Sequence, residues 1–459
     1  MRENVATDPS LSLPLAPVSR FPCLTKQTIL TTTVTVTDRR ITMRHSNQTF
    51  QMMEKKDHET GFYQRSFYPL EASLALDGTP ANDTPPPSLM SPASDTQPVT
   101  LTSPANTEAI EDLLPKLQSF VRQLWPDDPR ICHASVSFIV KTTRLEMVAS
   151  QESRESIDTT TLSSKSKVAD ETQASLTIEW QVKTPKETLY YKEEVFRAHP
   201  ESLFEDPKSL QRVCRAVERS VFHKPNWPAP SGNLPVLWSS RAVAKIVQAF
   251  LQTFEGDRVL TNQSFLNSWP ETIQLSFGLE ESPQIAIDAE GTPTKPRTVF
   301  DGVRPKTLFV NQQLAEKMQV PPTGHCRRTS LEAAPTLAFW NARVTAKKTL
   351  CDSHTLDCGI SVKDIEIVSF DPQTGNMTIR FTDSYLLHLG QEGERIEPLS
   401  FETSLLDILG SWTSFSSEEQ MTGLKLVKGA QELLTEINTP DAISHRFFIP
   451  GQVPAAHYW

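Results

Sequence analysis

The stretch that decides the fold is Ser231-Gly-Asn-Leu-Pro-Val-Leu-Trp-Ser-Ser-Arg-Ala-Val-Ala-Lys-Ile-Val-Gln-Ala-Phe-Leu-Gln-Thr-Phe-Glu-Gly-Asp257. Residues 234–238 are a short apolar run behind turn-forming residues, the pattern of a buried strand. Ser239 or Ser240 then supplies a side-chain oxygen that can accept a bond from a free N–H of the helix that follows. Val243, Ile246, Val247, Phe250, Leu251 and Phe254 recur three and four apart, so that helix has one continuous apolar face. Glu255-Gly-Asp257 ends it, with Gly256 expected to take the left-handed turn of a helix exit.

The chain has 459 residues, enough for two or three domains and a sizeable core. Lys plus Arg number 45 against 55 for Asp plus Glu, a net charge of −10, which argues against a nucleic-acid-binding surface. No run of about 18 apolar residues exists, so no membrane-spanning helix is expected. Residues 1–20 are rich in Pro and Ser without an apolar core, which reads as a disordered tail rather than a secretory leader. Six cysteines, at 23, 132, 214, 326, 351 and 358, are scattered widely and suit free thiols in a cytoplasmic setting.

Working outward toward the start, residues 29–37 are dense in β-branched side chains and read as a strand, with further strands over 41–53 and 61–68. Residues 81–104 carry Pro85-Pro-Pro87 among many Ser, Thr and Asp and are too polar to build a core, so they read as a flexible insert. An amphipathic helix over 107–125 contains Pro115. Strands over 134–140, 145–149 and 176–182 follow, with a polar loop over 150–172. Asp206-Pro207 opens a second helix. The second proline cluster, at 225–232, marks the domain boundary. Residues 21–224 are thus expected to form an N-terminal α/β layer domain.

Working toward the end, the signals are mostly β. Asp371-Pro-Gln-Thr-Gly375 and Gly390-Gln-Glu-Gly393 are hairpin turns by composition. Residues 405–412 and 424–437 read as helices. The fold class expected for the whole chain is α+β, the N-terminal α/β domain being followed over 229–459 by a β-rich domain with a few packed helices.

Four motifs follow the central helix in order: Asn262-Gln-Ser-Phe-Leu266, Asp288-Ala-Glu-Gly-Thr-Pro293, Phe300-Asp-Gly-Val303 and Pro322-Thr-Gly-His-Cys-Arg-Arg328. Together with the helix they resemble the C-terminal half of the TldD/TldE (PmbA) family, metallopeptidase-related proteins once called modulators of DNA gyrase. The resemblance extends over roughly residues 105–450. In the peptidase-bearing members this helix holds His-Glu-x-x-x-His ahead of Glu-Gly-Asp. Counted back from Glu255, those positions here are Val247, Gln248 and Gln252. Valine offers zinc no donor, an amide is a poor one, and glutamine cannot serve as the general base. The family's third ligand is a late cysteine, whereas the last cysteine here is Cys358. The resemblance therefore implies a TldE-like chain without catalytic residues, metal or other cofactor of its own. It would pair with a TldD-like subunit that carries zinc, or with itself, and bind small or unfolded peptides as extended strands.

Other side chains remain to be weighed. Asp288 and Glu290 could form an acid/base pair, or a turn in which Gly291 has positive φ and the carboxylates accept backbone bonds. Thr323, Gly324 and Arg327 could shape a cleft that takes a peptide carboxylate, or form a solvated loop. Glu255 extends the polar row of Gln248 and Gln252, either as a remnant cleft or as a solvated face. Cys351, His354 and Cys358 have spacing that could hold zinc, but only three donors are local. An alternative metallopeptidase with a site rebuilt from these residues or His325 follows from that spacing, and a self-associating peptide-binding scaffold is a third possibility.

Overall fold

The computed structural model describes residues 27–46, 49–67, 107–124, 130–152, 165–183, 188–197, 200–205, 207–221, 227–270, 272–328, 335–347, 356–428, 431–451 and 453–454. The expected tail over 1–20 and the insert over 81–104 lie outside them, as do Cys351 and His354.

The N-terminal part consists of β1 (Gln27–Ser46), β2 (Thr49–Phe67), α1 (Thr107–Leu124), β3 (Ile131–Glu152), β4 (Lys165–Lys183), β5 (Thr188–Arg197), α2 (Ser202–Glu205) and α3 (Pro207–Val221). Its strands form one sheet in the order β2-β1-β3-β4-β5, each neighbour antiparallel. The alternation at 176–182 is realised in β4: Leu176, Ile178, Trp180 and Val182 are buried against α1 and α3, whose Leu117, Val121, Val213 and Val217 close the layer. Trp180 adds a polar anchor, its indole N–H donating to Ser220 Oγ at 2.8 Å. Residues 150–172, read as a loop, instead lie partly in the extended ladder of β3 and β4, from Glu152 back and from Lys165 on. Their polar composition does not prevent strand pairing, because the bonds of a ladder are made by the backbone.

The C-terminal part comprises β6 (Pro230–Trp238), α4 (Ser240–Gln252), α5 (Gly256–Leu260), β7 (Phe277–Ser282), β8 (Arg297–Phe300), α6 (Gln312–Met318), β9 (Cys326–Arg327), β10 (Thr336–Leu337) and β11 (Asn341–Ala346). It continues with β12 (Cys358–Phe370), β13 (Asn376–His388), β14 (Gln391–Arg395), β15 (Leu399–Ser404), α7 (Leu405–Ser411), β16 (Trp412–Lys428), β17 (Gln431–Ile449) and β18 (Val453–Pro454). Eleven of its strands make one mixed sheet along β14-β13-β12-β6-β17-β11-β7-β8, with β15 on β13, β16 on β17 and β18 on β6. The deciding stretch sits at its centre. β6 runs parallel to β12 and antiparallel to β17, and α4 packs across β12, β16 and β17. The Asp371–Gly375 turn joins β12 to β13 as read, whereas the second hairpin turns at Leu389-Gly390, with positive φ at both, and residues 391–393 already pair in β14.

Two readings change. The helix read over 424–437 is not formed: residues 424–428 lie in β16 and 431–437 in β17, where Leu424 pairs with Thr435 and Leu426 with Leu433. Leu424, Leu426, Leu433 and Ile437 are buried, a set that fits a period of two on each arm of a hairpin as well as it fits helical spacing. Gly256 does not make a left-handed exit. α4 ends at Thr253, in right-handed geometry with φ −75° and ψ −12°, and Gly256 opens α5 instead. Glycine is needed there for close approach, because a Cβ would lie 2.9 Å from the Phe309 carbonyl oxygen.

Candidate functional site

The start of α4 is held from three sides. Ser239 Oγ accepts the Ala242 N–H at 3.3 Å and donates to the Lys363 carbonyl at 2.7 Å. The Ser240 N–H donates to the Asp441 carboxylate at 2.6 Å, an acid placed where the helix dipole favours one. These bonds tie the helix to β12 and β17 and fix which residues point into the sheet. The result is that Val247 is fully buried in the apolar core. Gln248 donates its amide to the Lys425 carbonyl at 3.2 Å and to Thr435 Oγ1 at 3.4 Å, and Gln252 is half-buried in the last turn. An alkyl group and two amides do not fit a zinc ion here. Among the described residues, no group of three His, Cys, Asp or Glu side chains could hold one.

Past the helix, Glu255 is buried and ion-paired, with Arg258 Nε at 3.0 Å and with Lys428 on β16. The Gly256 N–H donates to the Phe309 carbonyl and the Phe309 N–H to the Phe254 carbonyl, both at 2.8 Å, sewing this segment to the strand-like stretch before α6.

The Asp288 turn is built inward. Asp288 Oδ1 accepts the N–H groups of Glu290 and Thr292 at 2.9 Å each, and Oδ2 accepts that of Cys326 at 3.1 Å. Gly291 has φ 79°, the left-handed value this turn requires. Complete burial pushes the Asp288 carboxyl up to about 6, against the lowering effect of those three bonds and with the nearby Glu290 charge adding to the rise. Glu290 Oε2 accepts the Gln312 N–H at 2.9 Å, at the start of α6. In the neighbouring segment Thr323 Oγ1 bonds the Val310 N–H at 2.7 Å and faces His325 Nδ1 at 2.8 Å. His325 Nε2 meets Glu281 at 2.6 Å, both side chains buried, and Glu281 also accepts the Trp340 N–H. Gly324 has φ 74°, and a Cβ there would lie 2.8 Å from the Pro293 carbonyl oxygen. Arg327 donates to the carbonyls of Phe339 and Leu434 at 3.0 and 2.7 Å and lies 4.6 Å from the centre of the Trp340 ring.

Glu255, Asp288, Glu290, Gly291, Thr323, Gly324 and Arg327 therefore sit within the fold, and none of them lines the cavity at the N-terminal end of α4. Arg327 alone among them touches a small void of about 10 Å³ beside Gln173 and Trp340, room for about one water. Cys358 opens β12 opposite His388.

The large cavity, about 500 Å³, lies between the two domains at the N-terminal end of α4. Ser239, Ser240 and Arg241 line it from one side and Arg212 of α3 from the other. Beneath it is a charged cluster that sequence reasoning missed. Asp364 on β12 bonds Arg241 Nε at 3.1 Å and Lys245 Nζ at 2.6 Å, while Arg212 pairs with Glu193 on β5. Burial works to raise the Asp364 carboxyl, but Arg241, Lys245 and Arg212 hold it well below the usual carboxylate range. Arg241 and Lys245 are four apart on the polar edge of α4, so their like charges would repel without the Asp364 carboxylate that both of them bond.

Residues 231–448 match the PmbA/TldA metallopeptidase C-terminal domain. The sequence matches no curated relative. Among solved structures, TldE from Thermococcus kodakarensis superposes with a TM-score of 0.59 at 13% identity, covering 92% of this chain and 97% of its own. A candidate DNA gyrase modulator from Bacteroides thetaiotaomicron gives 0.58 at 13% identity, over 93% of this chain and 95% of its own. A similarly described protein from Thermotoga maritima gives 0.57 at 13%, over 91% and 95%. At such identities the superpositions speak for the fold, which spans both domains, while the matched domain carries the family assignment. The central strand and helix, the ordered motifs after them and the matched domain make residues 231–448 a PmbA/TldA metallopeptidase C-terminal domain, in a chain whose fold is shared with TldE.

Proposed function

We propose that this chain is a TldE-like, non-catalytic subunit of a TldD/TldE-type peptidase complex in the cytoplasm. It would pair with a TldD-like subunit that holds zinc, or with a second copy of itself, and help to enclose small or unfolded peptides. The observation that carries this reading is the state of α4. At the positions where peptidase-bearing relatives hold ligands and base, Val247 is core and Gln248 is committed to the backbone of β16. A ligand position that has become packing cannot be recovered by a small rotation of side chains, because the core around it is filled.

The test is zinc content and peptidase activity of the purified chain, alone and mixed with a TldD-like subunit from the same genome. The expected result is no stoichiometric zinc and no turnover alone, with a stable complex and turnover on mixing. Stoichiometric zinc together with turnover by the isolated chain would overturn the proposal. A peptidase-free homodimer that binds peptide would favour the scaffold reading.

A further inference from the structure

We propose that the cavity between the domains binds a small anion bearing a carboxylate or phosphate group, gripped by Arg212 and Arg215 of one domain and Arg241 of the other. The inference stands apart from the peptidase reading and rests on how charge is distributed around the cavity.

The wall supplied by β5 and α3 carries charge of one sign only: Arg197, Arg212 and Arg215, with no acid among its lining residues. Arg241 faces them from the first turn of α4. Arg212 and Arg241 are near enough that, after burial, the Arg241 charge is the next influence lowering Arg212. Bringing two guanidinium groups together from separate domains is unfavourable unless negative charge lies between or beneath them. The protein supplies Glu193 and Asp364, two carboxylates for the three cations Arg212, Arg241 and Lys245. Arg215 is exposed and has no ion pair with a described acid, so this side retains an excess of about two positive charges.

The opposite wall is of mixed sign. Glu392 pairs with Lys363 and Asp383 lies 3.5 Å from Arg395, while Asp441, which accepts the Ser240 N–H, and Glu418 keep their charge, so the positive excess is confined to the face made by Arg212, Arg215 and Arg241. Arg241 engages Asp364 through Nε, which leaves its terminal nitrogens for a ligand among the described residues. The cavity volume of about 500 Å³ falls within the range of small-molecule sites. A planar fork of N–H donors is matched to carboxylate and phosphate oxygens. An anion held by both domains would also favour their docked arrangement, because it binds only when both walls are present.

The experiment is titration calorimetry on the full chain with sodium phosphate and, separately, disodium succinate. Sodium chloride at matched ionic strength is the control, and Arg215→Gln and Arg241→Gln are the variants. One saturable site per chain is expected for at least one of the two anions, and the tighter one identifies the group recognised. Loss of a charge-assisted bond should weaken binding roughly tenfold or more in each variant. Arg215 is exposed, so Arg215→Gln should fold and keeps the test valid if Arg241→Gln does not. No saturable heat with either anion, equal affinity in the wild type and Arg215→Gln, or the same heat from sodium chloride would overturn the proposal.

Discussion

Gly423 on β16 lies against the Phe196 carbonyl of β5 so closely that a Cβ on Gly423 would fall 1.9 Å from that oxygen. This is where the edge of the N-terminal sheet crosses the C-terminal sheet, and Lys425 Nζ sits 5.8 Å from the centre of the Phe196 ring beside it. The two parts have separate apolar cores, so the crossing is a joint between two separately packed bodies.

Gly423→Ala should therefore open the joint without dissolving either core. Overpacking of this kind costs about 1–3 kcal/mol. The expected outcome is two resolved calorimetric transitions and faster proteolytic separation of the domains. One unchanged transition would show that the crossing carries no weight.

Asp288 sets a pH dependence. Its carboxyl is pushed up from 3.8 to about 6 in the folded chain, so the folded state binds the proton more tightly than the unfolded one. The stability this contributes is fully present below about pH 3.8 and is lost as pH rises through about 6. A shift of that size corresponds to about 3 kcal/mol between the limits. Comparing the pH slopes of denaturant stability for the wild type and Asp288→Asn isolates it: between pH 7 and 5 the wild type should gain stability relative to the variant. Asp288→Asn should also be less stable at low pH, because an amide nitrogen facing the Cys326 N–H leaves that donor unsatisfied. Parallel slopes would contradict the assignment.

Asp364 should be among the least replaceable acids of the C-terminal domain. Asp364→Asn leaves Arg241 and Lys245 without their shared carboxylate in a site where the acid is one-fifth exposed. Removing one partner of a largely buried ion pair costs about 3 kcal/mol. Adding Lys245→Met to Asp364→Asn should restore part of the loss, since one stranded cation is then gone. Additive destabilisation in the double variant would refute the coupling.

The sequence made the centre of the fold legible because β6 and α4 state themselves locally, through an apolar run, a serine cap and a spacing of three and four. Ser239 is the cap, and every apolar position named on that helix is buried. Residues 424–437 misled for the opposite reason. Lys428 faces Gln431 across the β16–β17 ladder, and no Pro, Asn or Asp punctuates the residues between, only Gly429 and Ala430. The Arg212, Arg241 and Asp364 cluster could not be read at all. Its members come from three elements, with Arg241 and Asp364 123 positions apart, and only tertiary packing gives them a common point.

Rebuilding the family motif tests how far the helix has moved from metal chemistry. Val247→His places an imidazole where the side chain is now fully buried among apolar groups, and Gln248→Glu puts an acid beside the Lys425 carbonyl, which it cannot bond. Burial of an unsatisfied polar ring costs about 1–3 kcal/mol, before any strain from added volume. Gln252→His completes the spacing, yet the late cysteine that serves as third ligand in relatives has no counterpart after Cys358. The triple variant should melt lower than the wild type and, by mass spectrometry of metals after dialysis, hold well under one zinc per chain. One zinc per chain with recovered peptide hydrolysis would mean that the scaffold around α4 still accommodates the ion, and that only the side chains had been lost.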